Sequence, residues 1–529
     1  MDVCIVASGQ SSRLVNYTKD YLPKYLLNID NYPALVKIVQ YWGKYANRIF
    51  LVIHEKFDII TQFIISHFLK SYQIHIIHYN QYDGTAFTIK SVYEKHLIKQ
   101  NVKNLLITWS DILPKEDLNM HYFQYKKKQK NYITIFTYGK DCRYEWSEEH
   151  KIQPSSSGNI IGIYYIQHCD FQFRKEIEKN IDIVEYLPYL ESNTMQNYEL
   201  KDVLDFGDEQ KYKTIIESQN DIEKLNCRSF NEIYVKQNQL CKRAIHEKGK
   251  QVIQHEIQFY KFLSKQEPHI QQLFPKVYEY YESAYSMEYK KDYDNLYKFL
   301  KRNTQKKNEF IISQVLEQLQ LLHKSSIKTI PRAQFLHNMK GEMYDKIIQR
   351  IQVIQPILDY FPKFKKVNSL YIEDFNTLLN KIHQFIFTYY ELLEEFTYSV
   401  IHGDPNFSNI LINPENHETC FIDPRGYFSS SEIYGSIDYD YAKILYGLSG
   451  YDEFNNHHFV IDYLDEKEIK FKIEEIDVSN AFKEERFTTI HKMMVVIIWL
   501  GLAEYNKNNI WKCVASYYHG LYLGSQIHL

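Results

Sequence analysis

Over roughly the first two hundred residues, short apolar runs alternate with longer amphipathic segments, and no other feature constrains the fold as strongly. Strands are predicted at residues 3–7, 48–53, 74–78, 104–108, 133–137 and 160–166, with helical periodicity between several of them, as at 34–45 and 58–70. Strands joined through helices need crossover connections, so the expectation is an α/β unit with a mixed, mainly parallel sheet over residues 1–215. The polar stretch 215–226 reads equally as a linker or a surface helix. From Arg228 the pattern changes. Paired strands at 232–236 and 239–244, a helix at 251–263 and strands at 277–281 and 284–289 predict a small lobe over 226–290. Residues 291–529 read as mostly helical, so the second domain, 226–529, is expected to be two-lobed and α+β.

Composition narrows the function class. A chain of 529 residues exceeds one ordinary core. With 63 Lys+Arg against 66 Asp+Glu, the formal charge of -3 implies no polyanionic partner, so nucleic acid is not expected. The 47 tyrosines read as compositional drift rather than a binding surface. Seven scattered cysteines without a CxxC pair argue for a reducing compartment and against zinc or a disulfide framework. The chain opens directly on a strand, and the apolar run at 493–502 is too short to span a bilayer. A soluble, cytoplasmic protein without a membrane partner is therefore expected, of unspecified oligomeric state.

Chemistry concentrates first in Val400-Ile401-His402-Gly403-Asp404-Pro405-Asn406-Phe407-Ser408-Asn409-Ile410-Leu411, then in Phe421-Ile422-Asp423-Pro424-Arg425-Gly426. Phosphoryl transfer from a nucleotide needs a carboxylate to orient the attacking hydroxyl, and an amide and a second carboxylate to hold magnesium on the phosphates. The segment resembles the catalytic loop of the aminoglycoside phosphotransferase and choline kinase superfamily, which implies a kinase-like fold for the second domain. By that resemblance Asp404 is the catalytic base or orienting carboxylate, and Asn409 and Asp423 are Mg2+ ligands. The small lobe then supplies a phosphate loop around Ser229 and Asn231, a phosphate-binding Lys242 oriented by Glu256, and a hinge at Glu288 and Tyr289 for adenine. Arg243 is the alternative to Lys242 and points to the opposite strand face. His402 is expected to support the loop. Arg425 is open to phosphate, substrate or a neighbouring acid, and Asp438 or Asp440 to capping the helix that follows.

At the other end, Ala7-Ser8-Gly9-Gln10-Ser11-Ser12-Arg13-Leu14 follows the first strand, and Pro23-Lys24-Tyr25-Leu26-Leu27 lies beyond it. A turn of small residues lets backbone N–H groups approach a triphosphate, and Arg13 and Lys24 add charge suited to departing pyrophosphate. The pair resembles the GxGxR and PKxLL signature of the nucleotidyltransferases that make nucleotide sugars and CDP-alcohols, with Ser8 and Ser11 where many members have glycine. That likeness implies a Rossmann-like fold. It makes Arg13 and Lys24 catalytic, and Ala7, Gly9, Ser11, Ser12, Gly84 and Thr85 nucleotide-binding. Asp111, after an apolar strand, and Asp205, in Asp205-Phe206-Gly207-Asp208, become the Mg2+ ligands. Residues 158–164 resemble the acceptor-binding strand.

Together the two resemblances imply a bifunctional enzyme. It would phosphorylate a small hydroxyl compound X with ATP, then couple X-phosphate to a nucleoside triphosphate, CTP or UTP favoured, releasing pyrophosphate for surface glycan synthesis. Gly84-Thr85-Ala86 favours a sugar or polyol. The kinase likeness leaves open a choline- or ethanolamine-type substrate with a CDP product. A degenerate regulatory module in one half is the third possibility, and the intact Asp404, Asn409, Asp423, Arg13, Lys24 and Asp111 weigh against it. A protein kinase is disfavoured, since no activation segment or Ala-Pro-Glu landmark follows Asp423.

Overall fold

The computed structural model describes residues 1–119, 132–149, 151–167, 180–189, 194–220, 231–465, 467–474 and 485–527. The chain forms two compact units. One comprises Met1–Ile222 with Pro356–Phe361 and Asn508–Ile510, and the other Glu223–Gln355, Pro362–Lys507 and Trp511–Leu529.

The first unit is built on β1 (Asp2–Val6), β2 (Arg48–Ile53), β3 (Ile74–His78), β4 (Asn104–Trp109), β6 (Tyr132–Ser147), β7 (Lys151–Gln167) and β8 (Thr194–Glu199), with β5 (Ile112–Pro114) and β9 (Val203–Asp205) as a separate pair. The seven-stranded sheet runs β3-β2-β1-β4-β7-β6-β8. Pairing is parallel from β3 to β4 and between β6 and β8, and antiparallel at β4/β7 and β6/β7. Helices α1 (Ala34–Gly43), α2 (Asp58–Phe68) and α3 (Thr85–Val92) cross between the parallel strands. β1 and β2 are almost entirely buried, which is why they read as continuous apolar runs rather than alternating ones. β6 and β7 extend far beyond the apolar stretches at 133–137 and 160–166. Their outer halves mix polar residues with Tyr144, Trp146 and Ile152 and pair only with each other as a hairpin, and a hydrophobicity pattern does not register such pairing. Helix α4 (Glu209–Asn220) takes up part of the stretch left open at 215–226, and residues 221–230 lie outside the described residues.

The second unit begins with a four-stranded antiparallel sheet, β10 (Asn231–Lys236), β11 (Gln239–Ala244), β13 (Ala284–Glu288) and β12 (Val277–Tyr280), in the order β10-β11-β13-β12. Helix α5 (Glu247–Leu263) packs on it through Ile253, Ile257, Tyr260 and Leu263. Beyond it come α6 (Gln305–Ser325), α7 (Phe375–Glu391), α8 (Ile437–Leu448) and α9 (Thr489–Tyr505), with β14 (Thr397–Val400), β15 (Ile410–Ile412) and β16 (Thr419–Phe421) framing a loop. The largely buried α9 accounts for the apolar run at 493–502. A mostly helical reading of this region misses a second sheet in which Leu370–Tyr371, Lys366–Val367, Glu468–Ile473 and Phe459–Asp465 pair in that order. Two of its strands have only two residues, too few to show a period, although Glu468–Ile473 alternates buried and exposed positions. Among the described residues no helix is long and apolar enough to cross a membrane.

Candidate functional sites

In the first unit the chain order of the parallel strands reverses between β1 and β4: β1 is followed by β2 on one side, and β4 lies on the other. Such a reversal leaves a crevice beyond the carboxyl ends of the strands, because the flanking connections diverge there. Ala7 extends β1, donating its N–H to the Val52 carbonyl at 2.8 Å, and Ser110 donates to the Val6 carbonyl at 3.2 Å. The turn at Gly9 and the carboxylate of Asp111 thus leave adjacent strands side by side. A side chain at Gly9 would meet nothing within 4 Å, so the loop's inner face is open.

Ser11 and Ser12 begin a short helical turn, and Ser11 Oγ accepts the Lys24 N–H at 2.9 Å. This bond ties the small-residue loop to the Pro23-Lys24 segment. Lys24 Nζ in turn is ion-paired with Asp111 Oδ2. Arg13 is exposed and makes no ion pair among the described residues. Asp205 ends β9, whose antiparallel partner β5 starts directly after Asp111. Gly207 lies between the two acids: a Cβ there would stand 2.8 Å from Asp111 Oδ2 and 3.2 Å from Asp205 Oδ1. The structure therefore brings Asp111, Asp205 and Lys24 together. It adds Lys211, 2.5 Å from Asp205 Oδ2, which the sequence reading missed. Burial opposes the charge on Lys211, but Asp205 outweighs it and holds the ammonium above its ordinary value. The available signal was weak: a lysine in the first turn of the helix that follows Asp205.

Gly84 and Thr85 stand at the start of α3. Gly84 has φ +86°, and a Cβ there would strike the Asn180 backbone at 2.7 Å, so only glycine fits. Thr85 Oγ1 donates to Asp182 at 2.6 Å and accepts the Ile183 N–H at 2.7 Å. Its hydroxyl is committed to holding residues 182–183, and the backbone is engaged as well, with the Ala86 N–H on the Ile181 carbonyl at 3.1 Å and the Thr88 N–H on the Gly84 carbonyl at 3.1 Å. In 158–164, Asn159 Oδ1 accepts the Trp146 N–H at 2.8 Å within the β6/β7 hairpin.

In the second unit Lys242, on the inner face of β11, lies 2.9 Å from Glu256 of α5 and 3.0 Å from Asp423. Tyr285 on β13 donates to the other oxygen of Glu256 at 2.8 Å. Burial opposes the ammonium of Lys242, yet the two carboxylates outweigh it and raise its pKa; burial raises Glu256, with Lys242 pulling it back. Arg243 instead pairs with Glu232 at the surface. Asp423 has φ +55°, a left-handed conformation that an aspartate tolerates better than most residues. Gly426 has φ +70°, and a Cβ there would lie 2.2 Å from the His255 carbonyl oxygen, so the Asp423 loop closes directly on the helix carrying Glu256.

Between β14 and β15 the loop is held from below. Asp440, fully buried in the first turn of α8, accepts the His402 N–H at 2.9 Å and the Gly403 N–H at 2.7 Å, and also bonds His323 at 2.9 Å. Asp438 instead bonds Tyr390 and His491. Neither acid caps the helix, contrary to the sequence expectation: Ser436 is its N-cap and makes no side-chain cap bond. Position in a first turn could not distinguish a cap from a carboxylate whose donors come from a loop remote in sequence. His402 Nε2 donates to the Ile422 carbonyl at 2.9 Å while Nδ1 accepts the Asp404 N–H at 3.2 Å, and burial keeps the ring neutral. His402 thus joins the Asp404 and Asp423 loops. Asn409 Nδ2 donates to the Asp404 carbonyl at 2.9 Å, leaving Oδ1 without a partner among the described residues. Lys443, another residue not foreseen, sits 2.9 Å from Asp404 Oδ1. Arg425 resolves toward a neighbouring acid, Glu342, at 2.8 Å.

Of the remaining expected nucleotide contacts, Ser229 lies outside the described residues. Asn231 opens β10 with a buried Oδ1 that has no hydrogen-bond partner among the described residues. Glu288 spends its N–H on the Lys276 carbonyl at 2.8 Å and its carboxylate on Lys290 at 2.9 Å, and Tyr289 follows at the strand end. Among the described residues no group of three or more His, Cys, Asp or Glu forms a metal cage. The first unit instead brings two oxygen donors together, Asp111 and Asp205, and in the second the loops carrying Asn409 and Asp423 are joined by the Ile422 N–H on the Asn409 carbonyl at 3.0 Å. Such a pair suits Mg2+, which keeps waters and takes its other ligands from phosphates.

No family model matches the chain, and no curated protein matches it. Among solved structures it is similar to HddC from Yersinia pseudotuberculosis, at 19% identity over 41% of this chain and 99% of that one, with a TM-score of 0.34. It is also similar to a UDP-glucose pyrophosphorylase complexed with UDP-glucose, at 17% identity, 41% and 97% coverage and a TM-score of 0.34. A third is the inositol-1-phosphate CTP transferase from T. maritima, at 12% identity, 43% and 98% coverage and a TM-score of 0.33.

Proposed function

We propose that the chain is a cytoplasmic bifunctional transferase: the second unit phosphorylates a small hydroxyl compound with ATP, and the first couples the resulting phosphomonoester to a nucleoside triphosphate, releasing pyrophosphate. The observation that carries this reading is that each unit separately sets a lysine against a carboxylate from a remote part of the chain, Lys24 with Asp111 and Lys242 with Asp423, beside a loop suited to phosphate.

In the kinase step Asp404 orients the acceptor hydroxyl and takes its proton as the oxygen attacks the γ-phosphorus, while the bond to the β,γ-bridging oxygen breaks and ADP leaves. Lys242, fixed by Glu256, neutralises the nucleotide phosphates. Asn409 Oδ1 and Asp423 would hold Mg2+, whose contribution is to offset phosphate charge. In the second step a phosphate oxygen of X-phosphate attacks the α-phosphorus and pyrophosphate leaves. Lys24 and Arg13 balance its charge, and Asp111 and Asp205 would hold the metal. A sugar or polyol for surface glycan synthesis is the substrate we favour, with CTP or UTP as the nucleotide.

The test is reconstitution. The full chain is supplied with ATP, Mg2+, each of CTP, UTP, dTTP and GTP, and a panel of free sugars and alcohols, while pyrophosphate and NDP-X are followed. NDP-X appearing after an X-phosphate intermediate supports the proposal. ATP consumption without pyrophosphate release from any pair would remove the first unit from the scheme.

A further inference from the structure

The surroundings of Asp404 carry information about its acceptor. Three tyrosines lie next to this loop, and an alkylammonium substrate would need such rings as a cage, their faces open to its charge. Here those faces are already loaded by the protein's own cations. The Arg425 guanidinium stands 4.1 Å from the Tyr427 ring and 5.6 Å from the Tyr439 ring. Lys443 Nζ stands 5.8 Å from the same Tyr439 ring and 5.2 Å from that of Tyr446. Both cations are fixed, Lys443 by Asp404 and Arg425 by Glu342, and their side chains are only 13% and 11% exposed. Lys346 also binds Glu342, at 2.8 Å. At these rings an incoming ammonium would meet the like charge of Lys443 and Arg425.

We infer that the acceptor at the Asp404 site carries no cationic group, being a neutral or anionic polyhydroxy compound, and that Lys443 is the positioning residue that enforces this selection. Lys443 does so in two ways: it orients Asp404, and it places a positive charge where an amino alcohol would bring its own. This inference rests on the kinase reading of the site and deepens it. Rejection by a misplaced like charge is a common route to specificity, because the charge can be neither paired nor moved away.

The full-length protein is assayed for transfer of the ATP γ-phosphate to neutral sugars and alditols, to sugar acids, and to choline and ethanolamine. The wild type is expected to favour its best uncharged or anionic acceptor over choline by at least ~10-fold in kcat/KM. The neutral and acid arms separate the two acceptor types. Lys443→Gln is expected to lower kcat for the good acceptor and to narrow that ratio severalfold, while Lys443→Arg preserves it. Because the ratio is taken within one preparation, partial misfolding does not move it. Choline turned over as well as the best sugar, or a ratio unchanged in Lys443→Gln, would overturn the inference while leaving the kinase reading intact. Transfer to no acceptor, and no Mg-ATP binding, would overturn both.

Discussion

The two units each set lysines against candidate carboxylates, but at different depths. In the first, Lys24 and Asp111 meet at the mouth of a crevice, the lysine 17% exposed, and Lys211 and Asp205 are more open still. In the second, Lys242 and Glu256 are both 5% exposed and sit between a β-sheet and a helix, with Tyr285 closing the network. Removing one partner of a buried pair leaves a charge that water cannot solvate, and this typically costs about 3–5 kcal/mol. An exposed partner is resolvated at little cost. Chemistry and stability should therefore be separable in the first unit and entangled in the second.

The largest expected effect is at the Asp404 loop. Asp404→Asn should lower phosphoryl transfer by about 10³-fold or more while Mg-ATP still binds, whereas Asp423→Ala should also weaken Mg-ATP binding. Single-turnover kinetics alongside nucleotide titration distinguish the two, and a wild-type rate in Asp404→Asn would remove that residue from the chemistry. Next comes Lys24→Ala, expected to slow pyrophosphate release by about 10²–10³-fold with an unchanged melting temperature, while X-phosphate continues to accumulate. Loss of both activities in a folded Lys24→Ala protein would break the comparison, since it would mean the sites are not independent.

A third prediction concerns pH. Burial alone would raise the Glu342 carboxyl, but Arg425 and Lys346 outweigh it and hold it at about 2, against an ordinary 4.5. A depressed carboxyl stabilises the fold above its unfolded value and loses that contribution as pH falls toward the folded one. Stability on the order of 3 kcal/mol should therefore be present above pH ~4.5 and disappear between there and pH ~2. Urea denaturation across that window should show the decline, and Glu342→Gln should flatten it. An equal slope in both proteins would assign the acid sensitivity elsewhere. The smallest effect is expected from Arg243→Ala. Its surface pair with Glu232 should be worth less than about 1 kcal/mol, and ATP use should be unaffected, whereas Lys242→Met at the neighbouring position should abolish activity and lower the melting temperature. Equal losses at the two positions would contradict the burial contrast.

Much of this was legible before any coordinates. The core strands of the first unit are continuous runs of apolar residues, and Arg48–Ile53 and Ile74–His78 occur with the bounds their pattern implies. Strand alternation implied that Lys242 and Arg243 point to opposite faces, and they do: Lys242 meets Glu256 and Arg243 meets Glu232 at the surface. The segments holding Asp404, Asn409 and Asp423 were singled out together, and His402 joins the Asp404 and Asp423 loops. Apolar runs and strand alternation are properties of single elements, set by backbone geometry over a few residues.

Other features depend on contacts that no local pattern encodes. Asp440 has the position of a helix-capping residue, yet its carboxylate is consumed by two N–H groups of a loop 37 and 38 residues earlier. Lys443 lies one turn further along the same helix and meets Asp404 only because Asp440 has pinned that loop against α8. Asp205 comes beside Asp111, with Gly207 between them, because two three-residue strands pair that are remote in the chain. By itself the sequence determined which segments form strands and helices and which residues could carry chemistry, since periodicity and spacing act within one element. Tertiary structure alone decided that Lys443 meets Asp404 and Arg425 meets Glu342, because such pairs depend on where distant elements cross, and a side chain is paired by its neighbours in space rather than in the chain.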